Sequence, residues 1–193
     1  MKELTVVEFV TLDGVMQGFG GPDEDRAGGF EHGGWGAPYA DEKQMTAAVE
    51  SLSPTTTYLF GRKTYEHMVA FWPHQPDENP MAAHLNSRPK YVATRTLREL
   101  DWNNAHVLDG ELVDAVTALK ADGNGNIVVL GSGELVQHLI AAQLVDEYRL
   151  FLHPLVLGTG KRLFRTTAAP LRLRLLGAEP TTTGVLMLRY AVE

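Results

Sequence analysis

The segment Ile127-Val-Val-Leu-Gly-Ser-Gly-Glu-Leu135 joins a short apolar run to the start of a helical pattern. The unbroken apolar run predicts a buried strand from Ile127 to Leu130, and the spacing from Glu134 to Ala142 predicts a helix. Glycine in the connecting turn lets the backbone approach a bound group closely, and a helix N-terminus attracts anions. The segment therefore predicts a strand–turn–helix unit suited to a pyrophosphate. A turn that uses glycine for its geometry alone is the alternative.

The alternation of strands and helices continues on both sides of this segment. Further strands are predicted at Leu4 to Leu12, Thr55 to Phe60, Lys90 to Thr94, Ala105 to Leu108, Tyr148 to Leu157, Leu171 to Leu176 and Val185 to Val192. Further helices are predicted at Asp41 to Leu52, Thr64 to Phe71 and Glu111 to Ala121. The pattern indicates an α/β fold in one domain over residues 1–193. We expect a central mixed, mostly parallel sheet with helices on both faces and an antiparallel edge formed by the last two strands.

Composition restricts the partners that the chain can take. The 17 Lys and Arg residues against 24 Asp and Glu residues give a net charge of −7, which opposes binding to a nucleic-acid backbone. The chain has no cysteine, which excludes disulfides, thiolate nucleophiles and cysteine-based metal sites. Its longest uncharged apolar stretch, Leu135 to Val145, is too short for a membrane span, and the N-terminus lacks a small-residue cleavage site. We therefore expect a cytoplasmic protein.

Cationic residues follow two more of the predicted strands. Arg62, Lys63 and Thr64 come directly after the strand that ends at Phe60-Gly61, and Thr94 and Arg95 end the strand that begins at Lys90. The planar fork of Arg and the point charge of Lys both suit phosphate groups. Ligands of open α/β sheets bind at the carboxyl ends of strands. These turns thus predict an anion site in an otherwise acidic chain; ordinary solvated surface charge is the alternative.

Carboxylates are the available proton donors. The seven histidines lack metal-ligand spacing, and no nucleophile motif is present. Asp13 follows the first predicted strand and Asp41 begins the first predicted helix, on either side of a segment, residues 14–36, that holds nine of the 19 glycines. Such a long loop is typical of a mobile flap over a site. Asp13 with Gly14 is also an ordinary turn, and Asp41 is also a good helix start.

Five motifs in a fixed order carry a resemblance to a known family. They are Thr11-Leu-Asp-Gly14, Gly61-Arg-Lys-Thr-Tyr65, Gly131-Ser-Gly-Glu-Leu135, Leu144-Val-Asp-Glu147 and His153-Pro-Leu-Val-Leu-Gly-Thr-Gly-Lys-Arg-Leu-Phe164. With them, nearly the whole chain resembles the dihydrofolate-reductase-like proteins related to the C-terminal reductase domain of the bifunctional riboflavin biosynthesis deaminase/reductase. The last three motifs together are specific to that group.

The resemblance implies a three-layer, dihydrofolate-reductase-like fold that binds NADPH and usually forms a homodimer. Arg62, Lys63 and Thr64 would then approach the cofactor phosphates, and Thr94 and Arg95 would lie by the adenosine 2′-phosphate. The pyrophosphate would be held by the turn made of Gly131, Ser132, Gly133, Glu134 and Leu135. In dihydrofolate reductase a Trp, a Pro and an active-site Asp stand near the start of the first helix. Trp35, Pro38 and Asp41 are similar with shifted spacing, which makes Asp41 a candidate proton donor or substrate anchor.

The expected function is that of an NADPH-dependent reductase acting on a small heterocyclic substrate. By resemblance the substrate would be pyrimidine- or pterin-like, with an activity of the 5-amino-6-(5-phosphoribosylamino)uracil reductase type. Asp13 or Asp41 would steer or protonate the substrate. No metal is expected. The alternative is a non-catalytic NADP(H)-binding or regulatory module that keeps the same fold.

Overall fold

The computed structural model describes residues 1–165 and 169–193 and contains eight strands and five α-helices in those ranges. The strands are β1 (Glu3–Thr11), β2 (Thr56–Gly61), β3 (Lys90–Ala93), β4 (Ala105–Val107), β5 (Asn126–Leu130), β6 (Glu147–His153), β7 (Leu173–Pro180) and β8 (Leu186–Val192). The helices are α1 (Glu42–Glu50), α2 (Arg62–Phe71), α3 (Pro80–Ser87), α4 (Leu112–Ala121) and α5 (Gly133–Ala141). The sheet has the strand order β4-β3-β2-β5-β1-β6-β8-β7.

The chain divides into two compact units. The first contains Met1–Val6 and Ala47–Asp146, and the second contains Val7–Thr46 and Glu147–Glu193. Among the described residues, every helix falls short of the length and apolar character that a membrane span needs.

Parallel strands form the frame of the first unit. Strand β2 pairs with β3 on one side and with β5 on the other, and β3 pairs with β4, all in parallel. The register sets Gly61 beside Ala93, the last residue of β3. Because the strands run in one direction, their carboxyl ends and the turns that follow lie at one edge of the sheet. Aromatic residues fill the core against these strands, among them Phe60, Tyr65 and Trp102.

Helix α3 lies in a stretch where no element was expected. The side chain of Asn79 accepts hydrogen bonds from the backbone N–H groups of Met81 and Ala82, and Pro80 occupies the first helical position. The backbone N–H groups in the first turn of a helix have no partner within the helix. The Asn79 side chain accepts from two of them, and Pro80 has no N–H group that would need a partner. The helix then buries Ala82 and Leu85 in the core of the first unit.

A buried lysine begins strand β3. The Nζ atom of Lys90 donates to the carbonyls of Leu85 and Arg88, at 2.6 and 2.7 Å, and lies 4.7 Å from the ring centroid of Trp102. Burial lowers the pKa of Lys90 to about 8. The hydrogen bonds and the cation–π contact offset the loss of hydration, and they join α3 to β3.

Antiparallel strands form the frame of the second unit, as the alternating C-terminal pattern predicted. Strand β8 pairs with β6 and with β7, and a bulge interrupts the β7–β8 ladder between Leu175 and Gly177. The register sets Arg149 directly opposite Arg189. The buried carboxylate of Glu147 accepts hydrogen bonds from both guanidinium groups, at 2.7 and 2.9 Å. These ion pairs offset the repulsion between the two arginines and lower the pKa of Glu147 against the opposing effect of burial.

Candidate functional site

Three turns of the first unit lie at one edge of the sheet. Strand β2 is central, so the residues after β2, β3 and β5 are neighbours. The N–H group of Gly61 donates to Oγ of Ser132 at 2.8 Å, which joins the β2–α2 turn to the β5–α5 turn. Thr94 directly follows Ala93, the partner of Gly61 in the sheet. The structure thus brings together the three turns that carry the residues expected to bind phosphate, and the roles of these residues stay predictions.

Glycine is needed where the two turns meet. The backbone of Gly131 has a φ of +66°, in the left-handed region, and a Cβ atom there would lie 3.5 Å from Cγ2 of Thr64. Ser132 follows in the same left-handed region, at φ 71° and ψ 51°, although it carries a side chain. A side chain in this region costs free energy that the surrounding structure has to supply. The hydrogen bond to Gly61 is one such contact, and it fixes the approach to α5.

The cations at this edge differ in what they contact. Nη1 of Arg62 donates to both carboxylate oxygens of Glu66, at 2.8 and 2.9 Å, so its charge is already paired one turn along α2. Lys63 and Arg95 are exposed. The hydroxyl of Thr94 accepts from the backbone N–H groups of Thr96 and Leu97, at 3.2 and 3.1 Å, and shapes the turn after β3.

The β5–α5 turn continues into the first turn of α5, where one residue faces solvent and the other packs inward. Glu134 is exposed, and Leu135 is buried in the first unit. Helix α5 begins at Gly133, one residue earlier than the spacing predicted, so Gly133, Glu134 and Leu135 all belong to its N-terminal turn.

Asp13 is firmly held in the second unit. Its carboxylate accepts from the Thr11 hydroxyl at 2.6 Å and from the backbone N–H groups of Leu157 and Gly158 at 3.2 and 2.9 Å, and it pairs with Arg162. Hydrogen bonds to the charged form, that of Thr11 foremost, lower the pKa of Asp13 to about 2. Asp13 therefore stays ionised at neutral pH, where it can orient a group but has no proton to give.

Asp41 also uses its carboxylate in structural hydrogen bonds. One oxygen accepts from the N–H group of Lys43 at 2.8 Å and caps α1, and the other accepts from the hydroxyl and the N–H group of Thr182. The Thr182 hydroxyl is the main reason why the pKa of Asp41 is lowered. The helix-start interpretation of Asp41 is thus confirmed by its bond to Lys43, and its catalytic role stays a prediction.

Hydrogen bonds and an ion pair hold the glycine-rich segment, residues 14–36, at several points. The side-chain amide of Gln17 donates to the carbonyls of Asp25 and Ala27, and Nε1 of Trp35 donates to the Gln17 carbonyl at 2.7 Å. Lys161 pairs with Asp25 at 2.5 Å. These contacts give the segment a defined path in the second unit, with short 3-10 turns at Ala27–Gly29 and Ala37–Tyr39.

Two buried polar residues of the second unit, Glu8 and His153, were not among the site residues that the sequence predicted. Glu8 in β1 is 3% exposed, and burial, with a contribution from Glu24, raises its pKa well above the ordinary value. Its Oε1 atom has no hydrogen-bond partner within the described ranges. The same holds for Nε2 of His153 in β6, a residue that is 1% exposed. Both residues lie in strands that are otherwise largely apolar. Whether their polar atoms find hydrogen-bond partners depends on the packing of the folded chain, which the sequence does not show.

Comparison with solved structures identifies the fold. The chain matches a putative riboflavin biosynthesis protein from Shewanella sp. PV-4 with a TM-score of 0.71 and 21% identity, over 99% of each chain. It matches dihydrofolate reductase from Enterococcus faecalis, solved in complex with NADP(H), with a TM-score of 0.64 and 14% identity, over 99% of this chain and 96% of that one. The fold is therefore dihydrofolate-reductase-like, as the motifs predicted.

Sequence comparison identifies the family. The uncharacterized protein YyaP of Bacillus subtilis (strain 168) is 32% identical over 142 residues, which are 72% of this chain and 75% of YyaP. The sequence model of the RibD C-terminal domain family matches residues 2–187 of the chain. The chain thus belongs to the RibD C-terminal domain family.

Proposed function

We propose that this protein is an NADPH-dependent reductase of a small heterocyclic substrate, pyrimidine- or pterin-like. The observation that supports the proposal is the junction of the β2–α2 and β5–α5 turns beside the end of β3, tied by the bond from Gly61 to Ser132. Each turn has a glycine that faces a side chain of the other: Gly61 lies beside Ser132, and Gly131 lies beside Thr64. Open backbone next to cations and two helix starts suits a dinucleotide carrying several phosphates.

Each residue of this edge has a definite part in the proposal. The N-terminal turns of α2 and α5 would hold the phosphates with backbone N–H groups, and Lys63 would add charge. Arg95, exposed beside the end of β3, would bind the 2′-phosphate that distinguishes NADPH from NADH. The cofactor, when bound, supplies the hydride. Asp13, ionised at neutral pH, would orient the substrate through its charge.

Cofactor preference tests this proposal. Calorimetric titration should show tighter binding of NADPH than of NADH. Arg95→Ala should weaken NADPH binding by about tenfold or more, the loss expected for a charge-assisted hydrogen bond, and should leave NADH binding nearly unchanged. Arg98→Ala is the matched control, because Arg98 is an exposed arginine three residues along the same segment. Equal affinities of the unmodified protein for the two cofactors would refute the assignment of Arg95.

A non-catalytic NADP(H)-binding module on the same fold is the second candidate. It is favoured by the hydrogen bonds of Asp13 and Asp41, which lower the pKa of both carboxyls and occupy them in the structure. A panel of pterins, aminouracils, quinones and enals, each incubated with protein and NADPH, separates the two candidates. Loss of NADPH absorbance with one class of compound supports the reductase. Binding of NADPH with no oxidation across the panel supports the module.

We also propose that the chain forms a homodimer through its antiparallel strands. Leu175 in β7 and Leu186 in β8 are 54% and 39% exposed, although both are large apolar residues. Light scattering during gel filtration should report a dimer, and Leu186→Glu should shift it to monomer. Val113→Glu, at an exposed apolar position of α4, is the control that should leave the mass unchanged.

A further inference from the structure

The turn between α4 and β5 places an asparagine directly before a glycine. It consists of Asp122, Gly123, Asn124 and Gly125. Asn124 is exposed and Gly125 is half-buried. Among the six asparagines of the chain, Asn124 is the one that precedes a glycine. The side-chain amide of an asparagine can react with the next backbone nitrogen, and glycine leaves that nitrogen unhindered because it has no side chain.

The fold requires the two glycines of this turn. Gly123 and Gly125 have φ values of +76° and +120°, in the region that favours glycine. A Cβ atom at Gly125 would also lie 2.6 Å from the carbonyl oxygen of Thr55. The carbonyl oxygen of Gly125 accepts a hydrogen bond from the N–H group of Glu3 at 3.2 Å. Position 125 therefore cannot carry a side chain that would shield the Asn124 amide.

The two groups that would react are available in the folded chain. Within residues 1–165 and 169–193, neither the Asn124 side chain nor the N–H group of Gly125 forms a hydrogen bond. The preceding Asp122-Gly123 pair differs, because the N–H group of Gly123 donates to the Ala121 carbonyl at 3.0 Å. The structure thus leaves the Asn124 amide and the Gly125 nitrogen free to approach each other.

The remaining asparagines are less suited to this reaction. Four of them use their side chains in hydrogen bonds: Asn79, Asn86, Asn104 and Asn126. Asn103 is exposed in a turn, as Asn124 is, but it precedes Asn104, and the side chain of Asn104 hinders attack by its own backbone nitrogen. Asn103 is therefore a matched comparison that differs from Asn124 mainly in the following residue.

We propose that Asn124 is a site of spontaneous deamidation. The backbone nitrogen of Gly125 attacks Cγ of Asn124, so that a C–N bond closes a five-membered succinimide ring. The side-chain nitrogen leaves as ammonia and takes up the proton that the Gly125 nitrogen loses. Water then opens the ring. Addition of water at Cγ gives aspartate, and addition at the backbone carbonyl gives isoaspartate, in which the main chain runs through the former side chain.

The two products should differ in their effect on the first unit. Isoaspartate adds one atom to the main chain directly before Gly125, which the Glu3 bond and the Thr55 carbonyl hold in place at the start of β5. Aspartate adds only a charge, two residues from Asp122, which pairs with Lys2 at 3.7 Å. We therefore expect isoaspartate to destabilise the start of β5 more than aspartate does. Deamidation consumes only water, so it is independent of the proposed reductase activity.

Peptide mass spectrometry of the full chain, incubated at pH 8, measures the reaction. Fragmentation should locate an amide-to-acid conversion at Asn124 at least tenfold faster than at Asn103. The conversion should slow as the pH is lowered, since the attacking nitrogen has to lose its proton. Asn124→Gln should keep its amide, because glutamine would have to close a larger ring. Conversion at Asn124 that is no faster than at Asn103 would overturn the proposal.

Isoaspartate itself is detected by a second measurement. An isoaspartyl methyltransferase with a labelled methyl donor should label the incubated protein and leave Asn124→Gln unlabelled. In thermal unfolding, the labelled fraction should unfold at a lower temperature than Asn124→Asp, which carries the same charge without the additional main-chain atom. Equal labelling of the unmodified protein and Asn124→Gln would refute the site. A midpoint equal to that of Asn124→Asp would refute the expected strain at the start of β5.

Discussion

At the scale of single residues, hydrogen bonds from distant parts of the chain hold the charge of Asp13. Its partners Leu157, Gly158 and Arg162 lie 144 or more positions away along the chain, so the sequence showed this carboxylate without its contacts. The Gly-Ser-Gly turn was visible as well, because glycine and a following helical pattern are local signals. Glu8 and His153 had no such signal, since only the packed structure leaves their polar atoms unpaired.

Asp13 should stabilise the folded chain in a pH-dependent way. Its pKa falls from 3.8 to about 2 on folding, so its contribution is complete above 3.8 and is lost as the pH falls towards 2. Asp13→Asn should lower the free energy of unfolding at pH 7 by about 2 kcal/mol, the scale of hydrogen bonds to a charged group. Urea unfolding at pH 7 and near pH 2 measures this, and the two proteins should converge at the lower pH. Asp23→Asn, at an exposed ion pair, is the control, and an equal loss at both pH values would contradict the argument.

Glu8 should have the opposite dependence. Its folded pKa lies well above the ordinary 4.5, so the folded chain keeps a proton that the unfolded chain releases, and stability falls as the pH rises above 4.5. Glu8→Gln cannot ionise, so its stability should fall less between pH 5 and pH 8 than that of the unmodified protein. Thermal unfolding across this range is the measurement, with Glu3→Gln at the exposed start of the same strand as control. Parallel curves for the Glu8 variant and the unmodified protein would refute a buried carboxyl of raised pKa.

At the scale of elements, periodicity located most strands and helices and misplaced their ends. Helix α2 begins at Arg62 and not at Thr64, which puts Arg62, Lys63 and Thr64 in its N-terminal turn, the part that favours anions. Helix α3 was missed although Asn79-Pro80 is a helix-start signal. The helix is eight residues long, and its apolar face is too short to give a clear period.

The cap of α3 offers a test at this scale. Asn79→Ala removes the acceptor of two backbone N–H groups and should lower the free energy of unfolding by about 1 kcal/mol. The effect should reach the whole first unit, because Ala82 and Leu85 are buried. Chemical denaturation followed by tryptophan fluorescence is suitable, since two of the three tryptophans, Trp72 and Trp102, lie in or against the same core. Asn103→Ala, in an exposed turn, should change little, and an equal loss in both variants would argue against the cap.

At the scale of the whole molecule, the sequence predicted the fold class because its evidence is distributed along the chain. Alternating apolar strands and helices led to the mixed sheet, and the two alternating C-terminal stretches form the antiparallel pair that they predicted. The register of the strands could not be predicted from the sequence. The alignment of Gly61 with Ala93, which makes three separate turns neighbours, was therefore not predicted either. Sequence motifs indicate which turns are candidates for a binding site. Only the pairing of the strands shows that these turns are neighbours.

The proposed cofactor should stabilise the molecule through this junction. A ligand that binds only the folded state adds RT ln(1 + [L]/Kd), which is about 2.7 kcal/mol at a concentration of 100 Kd. NADPH should therefore raise the midpoint of thermal unfolding in proportion to the logarithm of its concentration, and NADH should raise it less. Gly131→Val should abolish most of this rise, because a branched side chain is strained in the left-handed backbone that shapes this turn. Gly110→Val, at a glycine of positive φ outside the three turns, controls for backbone strain alone: it should lower the midpoint without cofactor and keep the rise. If millimolar NADPH leaves the midpoint of the unmodified protein where it was, the three turns do not form a dinucleotide site.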